Sequence, residues 1–405
     1  IAVSGSSYQT CDKTDIVVAP DWTATTQQAK LQSSDIAASD WFGMSVAIDG
    51  DTMVAGAYRE DSYAGAAYIF TRSGTSWSQQ AKIQASDKAG NDKFGFSVDI
   101  SSDTIVVGAY NEDTGATDSG AAYIFTRSGT SWSQQAKIQA SDKQAYDEFA
   151  QRVAIGGDTI VVAARFEDTG GTSAGAAYVF TRSGTTWSQQ AKIQASDKSE
   201  QDIFGISTAI DGDTIVVGAT LSYSAAPLYA TGAAYVFTRS GTSWSQQAKL
   251  QSSDIEANDY FGISVAIDGD TMVAGAYAED AGAGNTGAAY VFTRSGTTWS
   301  QQAKLTASDA QASDELGRSA AIDGDTVVVA ARFEDTGGSN AGAAYVFTRS
   351  GTTWTQAKKI VSSDIQASDE FGFSVDISSD TIVAGAYKED TVGSDAGAAY
   401  TFVAG

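Results

Sequence analysis

A unit repeated seven times constrains this chain more than any other feature. Each copy is marked by an apolar side chain and a small residue that open a short apolar run. The markers are Phe42-Gly43, Phe94-Gly95, Phe149-Ala150, Phe204-Gly205, Phe261-Gly262, Leu316-Gly317 and Phe371-Gly372. They lie 52, 55, 55, 57, 55 and 55 residues apart. A fixed period near fifty belongs to a propeller or a solenoid, where each unit buries its apolar face only against its neighbours. Between markers the text is nearly copied. Gly120 to Asp142 reads GAAYIFTRSGTSWSQQAKIQASD, and Gly175 to Asp197 differs only at Val179 and Thr186. A length of 405 residues alone would suggest two or three domains, but units sharing one core form a single body.

Each copy divides into four strand signals, seen most clearly in the second. Phe94 to Ile100 alternates apolar and small or polar residues. Thr104 to Ala109 is a continuous apolar run, as suits a strand buried on both faces. Ala121 to Thr126 is aromatic and β-branched. Trp132 to Ile138 is half polar, with Trp132, Gln134, Ala136 and Ile138 predicted on one face and Ser133, Gln135 and Lys137 on the other. That strand belongs on the outside. Asp49-Gly50, Asp211-Gly212, Asp268-Gly269 and Asp323-Gly324 join strands one and two, and Asp-Gly suits a tight hairpin because primed turns need positive φ. Four antiparallel strands per repeat make a propeller blade. The fold class is all-β, a seven-bladed propeller.

The ends complete each other. Gln27-Gln28-Ala29-Lys30-Leu31 is a fourth-strand sequence with no three strands before it, whereas the last copy reaches Gly397 to Phe402 and lacks a fourth strand. The segment Trp22 to Gln32 is therefore expected to be the outer strand of the last blade and to close the ring. Closure removes the free strand edge that an open ring would expose, and a linear solenoid would not need such complementarity. This divides the chain into an extension over residues 1–21 and one propeller over residues 22–405. Asp15 to Ala19 could add a strand or a junction, and Cys11, the single cysteine, is available to pair with another chain.

Composition narrows the chemistry. Lys+Arg 25 against Asp+Glu 49 leave a formal net charge of −24, which repels nucleic acid and anionic lipid and favours cations or cationic partners. There is no histidine, so histidine proton transfer, Ser-His triads and His-ligated zinc are impossible within the chain. No apolar run approaches a membrane span. The chain opens on Ile1 rather than Met, which fits a removed signal peptide.

The Phe94-Gly95 step followed by Gly108-Ala109-Tyr110, echoed by Gly56-Ala57-Tyr58, Gly275-Ala276-Tyr277 and Gly385-Ala386-Tyr387, resembles the FG-GAP repeat, with tyrosine where that motif has proline. The resemblance covers roughly Gln27 to Phe402 and implies a seven-bladed propeller. It also implies an extracellular or cell-surface setting, and adhesion or ligand binding rather than catalysis. Integrin-like copies often place an Asp-x-Asp-x-Asp-Gly calcium loop between the two steps. Here only turns such as Asp49-Gly50-Asp51 and Ser101-Ser102-Asp103 stand there, too short to wrap an ion that needs six to eight oxygens.

Strand direction sends the interblade loops and the loops between strands two and three to one face. That face collects an aspartate pair per interblade loop: Asp35/Asp40, Asp87/Asp92, Asp142/Asp147, Asp197/Asp202, Asp254/Asp259, Asp309/Asp314 and Asp364/Asp369. Glu-Asp steps join them at Glu60, Glu112, Glu167, Glu279, Glu334 and Glu389. The opposite face receives Arg72, Arg127, Arg182, Arg239, Arg294 and Arg349, so a polarised molecule is expected. The acids have two readings: calcium sites, for which Asp87, Asp92, Asp197, Asp202, Asp254, Asp259, Asp364 and Asp369 of the regular blades are the candidates, or local turn caps that also confer solubility.

Three blades depart from the pattern. The fourth replaces the charged step with a longer loop carrying Tyr223 and Tyr229, either a sugar or protein contact or a tolerated insertion. Blades three and six carry Arg165-Phe166 and Arg332-Phe333, with Arg152 and Arg318 in the preceding strands. These arginines either form ion pairs with nearby acids or line an anion pocket. The tryptophans Trp77, Trp132, Trp187, Trp244, Trp299 and Trp354 suit packing against the neighbouring blade better than a lectin surface. The expected function is non-catalytic recognition or adhesion of a protein or glycan partner through a propeller face. The alternative is a structural block of an extracellular matrix or appendage.

Overall fold

The computed structural model describes residues 20–221, 231–280 and 284–405. Tyr223, Tyr229, Cys11 and Asp15 to Ala19 lie outside the described residues. Seven four-stranded antiparallel sheets form the seven blades. In the second blade the strands are Phe94–Ser101, Thr104–Ala109, Ala121–Ser128 and Ser131–Ile138, from the axis outward. All six residues of the second strand are buried, as its unbroken apolar run requires when both faces meet other blades.

The ring closes as the two ends of the chain predict. Thr26–Leu31 pairs antiparallel with Ala398–Val403, so the first strand of the chain is the outer strand of the last blade. The segment before it differs from a simple strand. Trp22–Ala24 forms a short 3-10 turn capped by Asp21, whose side chain accepts from the Thr23 amide. Trp22 is buried in the apolar cluster between blades six and seven, and its indole N–H donates to Thr326 Oγ1 at 3.0 Å. A side chain of that size, buried and hydrogen-bonded, anchors the closing strand to a blade it does not pair with.

The Phe-Gly step has a packing reason. Phe94 is fully buried against Tyr123 and Phe125 of its own third strand, at ring separations of 5.6 and 6.0 Å. Gly95 has φ +90°, and its carbonyl would lie 1.9 Å from a Cβ placed on Gly56 of the preceding blade. Two backbones therefore touch across the blade interface near the axis, which only glycine permits here. The apolar core is a series of clusters, each shared by two adjacent blades.

One strand assignment needs correction. A bulge at Gln135 shifts the register between Phe125↔Gln134 and Ile124↔Ala136. Trp132 consequently packs toward blade one, while Ala136 and Ile138 pack toward blade three. Strict alternation had placed all three on one face, but an extra residue reverses the parity beyond it.

Candidate functional site

The outer wall comes first, because it accounts for most of the candidate acids. Lys137 sits between Asp87 at 2.7 Å and the buried Glu112 at 2.8 Å. The same lysine bridge recurs from Lys82 to Asp35 and Glu60, and from Lys304 to Asp254 and Glu279. Lys30 of the closing strand makes it to Asp364 and Glu389. In blade four Lys249 reaches Asp197 at 2.7 Å. Tyr123 donates to the other oxygen of Asp87, and Tyr400 to that of Asp364, each at 2.9 Å. Burial raises the Asp87 carboxyl, but the Lys137 and Tyr123 hydrogen bonds outweigh it and hold the group below its ordinary value.

The second aspartate of each pair serves its own loop. Asp92 accepts the Ala89 amide at 2.7 Å, Asp202 that of Ser199 at 2.6 Å, Asp259 that of Glu256 and Asp369 that of Gln366, both at 2.7 Å. Burial pushes Asp92, Asp202 and Asp369 up to about 6, against the pull of that amide. The structure thus gives the two members of each pair separate partners. Among the described residues, no three acidic or cysteine side chains converge as a metal-holding group.

Opposite these loops, the arginines are spoken for as well. Arg127 pairs with Asp103 of its own blade at 2.6 Å and donates to Thr52 of the preceding blade at 3.0 Å. Arg72 does the same with Asp51 and Thr381 across the closure. Because each arginine meets a turn aspartate, the expected polarity between faces is softened by pairing within each face. The tryptophans behave as blade clamps: Trp132 Nε1 donates to Gln80 and Trp77 Nε1 to Gln28, each on the preceding outer strand.

The axis is built differently. The first strands line a central channel, and residues around the Phe-Gly steps and at the ends of the second strands crowd its mouth. Phe373, Tyr387, Trp41, Tyr58, Phe96 and Tyr110 form a continuous arc of edge-to-face rings, with separations from 4.6 to 5.6 Å. Tyr260 stacks on Tyr277 at 5.2 Å on the far side. Cations lie over these rings: Arg59 over Trp41 at 3.3 Å, Lys93 over Tyr110 at 4.6 Å, Arg152 over Phe96 at 5.4 Å and Arg318 over Tyr277 at 5.2 Å. Three glutamates complete the mouth. Glu148 meets Arg165 at 3.5 Å, Glu315 meets Arg332 at 2.9 Å, and Glu370 meets Lys388 at 2.5 Å.

Arg165 and Arg332 therefore make local ion pairs, though not with the adjacent Glu167 and Glu334, whose lysine partners are Lys192 and Lys359. The sequence singled out all four arginines but missed the aromatic arc. A signal for it exists. The column just before the Phe-Gly step holds Trp41, Lys93, Glu148, Ile203, Tyr260, Glu315 and Glu370, seven positions and five kinds of side chain inside an otherwise copied unit.

Deeper in the channel, Asp99 and Asp376 replace the alanine found at Ala47, Ala154, Ala209, Ala266 and Ala321. Asp99 accepts the Ile155 amide at 2.7 Å and Asp376 the Ile48 amide at 2.8 Å, each on the next blade. Half-buried in the channel wall, both carboxyls are pushed up to about 7 by burial, Asp99 also by the Asp376 charge.

Fold and site define a closed seven-bladed propeller whose copied outer walls frame a diversified axial mouth. The FG-GAP repeat matches residues 25–70, 77–125, 132–180, 187–237, 244–292, 299–347 and 354–402, seven stretches that each run from the outer strand of one blade through the three inner strands of the next. The chain belongs to the FG-GAP repeat family. No curated protein matches it as a relative.

Proposed function

We propose that this propeller is a non-catalytic extracellular recognition module that engages a protein or glycan partner through its axial mouth. The observation that carries this is divergence. Around a ring whose outer strands are near-identical, the mouth alone combines tryptophan, tyrosine, phenylalanine, arginine and glutamate in a different mixture on each blade. Aromatic and arginine side chains are those that most often dominate binding surfaces. Tyr223 and Tyr229, singled out by the sequence in blade four, enter the proposal as a second contact. Among the described residues no helix is long and apolar enough to cross a membrane, and the FG-GAP family itself supports the extracellular setting.

A glycan array combined with pull-down from a native surface tests the reading. Capture should fall when Arg165 and Arg332 are changed to alanine, or Tyr223 and Tyr229 to serine. It should survive Lys137→Met on the outer wall. Equal capture by all variants would instead support the structural-block alternative, in which the ring acts as a rigid spacer.

A further inference from the structure

Arg152 and Arg318 differ from Arg165 and Arg332, the other arginines of their two blades at the mouth. Both line a cavity of 190 Å³ within the channel, with Met44, Phe96, Ile263 and Phe373 around them. They come from blades three and six, three steps apart in a ring of seven, and so reach that one cavity from opposite sides of the axis. Among the described residues neither forms a salt bridge, whereas Arg165, Arg332 and Lys388 one layer above are paired with Glu148, Glu315 and Glu370.

Both also occupy places where another residue serves the fold better. The position of Arg152 is serine in the other six blades, and each serine hydroxyl bonds the next blade. Ser45 accepts from Val98, Ser97 from Val153, Ser319 from Val375 and Ser374 from Val46, while Ser207 and Ser264 donate to the Gly262 and Gly317 carbonyls. Arg152 gives up that clamp and donates instead to the carbonyl of its neighbour Gln151 at 2.9 Å. The position of Arg318 is otherwise Met44, Phe96, Gln151, Ile206, Ile263 or Phe373. Placing two like charges in a narrow channel is unfavourable. Burial, with the charges of Arg165 and Arg318, pushes the Arg152 guanidinium down to about 10. Arg152 keeps its bond to Gln151 and lies over Phe96, and Arg318 lies over Tyr277, but among the described residues no carboxylate pairs with either, and a bound anion would supply that partner to both.

We propose that the channel binds one compact oxyanion, a carboxylate or sulfate group, between Arg152 and Arg318. The guanidinium fork matches the paired oxygens of such groups, and the aromatic walls accept the apolar faces of whatever carries the anion. The acidic exterior, with net charge −24, disfavours long polyanions at the rim. A single acidic group on an otherwise uncharged carrier, or a free small anion, carries less charge and is repelled less. Asp99 and Asp376 lie lower in a second cavity of 310 Å³ and set the floor below which an anion is repelled. The proposal deepens the recognition reading and rests on the same mouth.

Titration calorimetry at low salt, with sulfate, acetate, glucuronate and neutral glucose as probes, tests it on the full chain. Arg152→Ser and Arg318→Met are the informative variants, because each installs the residue another blade already uses. Melting at or above the wild-type temperature would show that folding is intact. The wild type should bind the anions but not glucose, each substitution should weaken binding roughly tenfold or more, and the double variant should show no heat. Glucuronate binding more tightly than acetate supports an acidic saccharide as the source; equal binding supports a free anion. Absence of anion heat in the wild type, or equal heat in the double variant, overturns the proposal. Partner capture by a wild type that shows no anion heat would leave the recognition reading standing while the anion site falls.

Discussion

The outer wall and the axial mouth of this propeller come from the same repeat and have diverged to opposite degrees. On the wall, most blades reproduce one set of bonds: a lysine between two acids in all but blade four, and in blades one to six a tryptophan donating to a glutamine on the blade before and an arginine tying a turn to the neighbouring threonine. Most copies there meet an equivalent environment, so one solution serves them. At the axis the copies meet one another around a single space. A seven-fold repeat of any side chain would produce a seven-fold symmetric site, and the blades instead contribute Trp41, Phe96, Arg152, Tyr277, Arg318 and Phe373. Wall substitutions should therefore change stability, and mouth substitutions should change binding.

The largest test of that division is to open the wall. Deleting residues 1–32 removes Thr26–Leu31 from the last blade, together with Trp22 and the Lys30 bridge to Asp364 and Glu389. The expected result is insoluble protein or a melting temperature lower by roughly 10 °C or more, read by calorimetry. A truncated chain melting with the full one would break the closure argument.

A smaller injury probes a single clamp. Lys137→Met leaves the buried Glu112 carboxylate without its cation while its hydrogen bonds from Gln139 and Thr114 remain. Chemical denaturation should show a loss of about 1–3 kcal/mol, with anion and partner binding unchanged. Binding lost together with stability would mean that wall and mouth are coupled.

The channel floor makes a pH prediction. The Asp99 and Asp376 carboxyls titrate at about 7 when folded, above their unfolded value near 4. Their contribution is fully present below the unfolded value and is lost as pH rises through 7. Asp92, Asp202 and Asp369, raised to about 6, act in the same direction. Wild-type stability should thus decline between pH 5 and pH 8. The double variant Asp99→Ala/Asp376→Ala, which adopts the residue of the other blades, should decline less over the same range. Parallel pH profiles would show that the two carboxyls are not titrating there.

Calcium should have the smallest effect. The first aspartates keep exposed oxygen, with Asp87 45% and Asp254 43% exposed, but a calcium ion must compete with their lysines. Millimolar calcium should raise the melting temperature beyond sodium at equal ionic strength by roughly 1 °C. A shift many times larger would return the aspartate pairs to the status of dedicated ion sites.

Much of the fold was legible because it is local. The period of the markers, the apolar run Thr104–Ala109, the Asp-Gly turns and the complementary ends each need only neighbouring residues to be understood. Parity beyond the bulge at Gln135 was not legible, since an extra unpaired residue leaves no composition signal in a polar strand. The partners of the aspartate pairs were hidden for another reason. Lys137 lies 50 residues from Asp87 and reaches it only once two blades are packed side by side.

By itself, the sequence determined the number of blades, the strands of each, the closure and the exclusion of histidine chemistry, because repeats and strand patterns act over a few residues. Only the tertiary structure decided what the axis contains. Trp41, Phe96, Arg152, Tyr277, Arg318 and Phe373 are spread over more than three hundred residues and share one channel because a closed ring turns the same edge of every blade inward. Their meeting is a consequence of closure, and no stretch of local sequence encodes which side chains a ring will bring together.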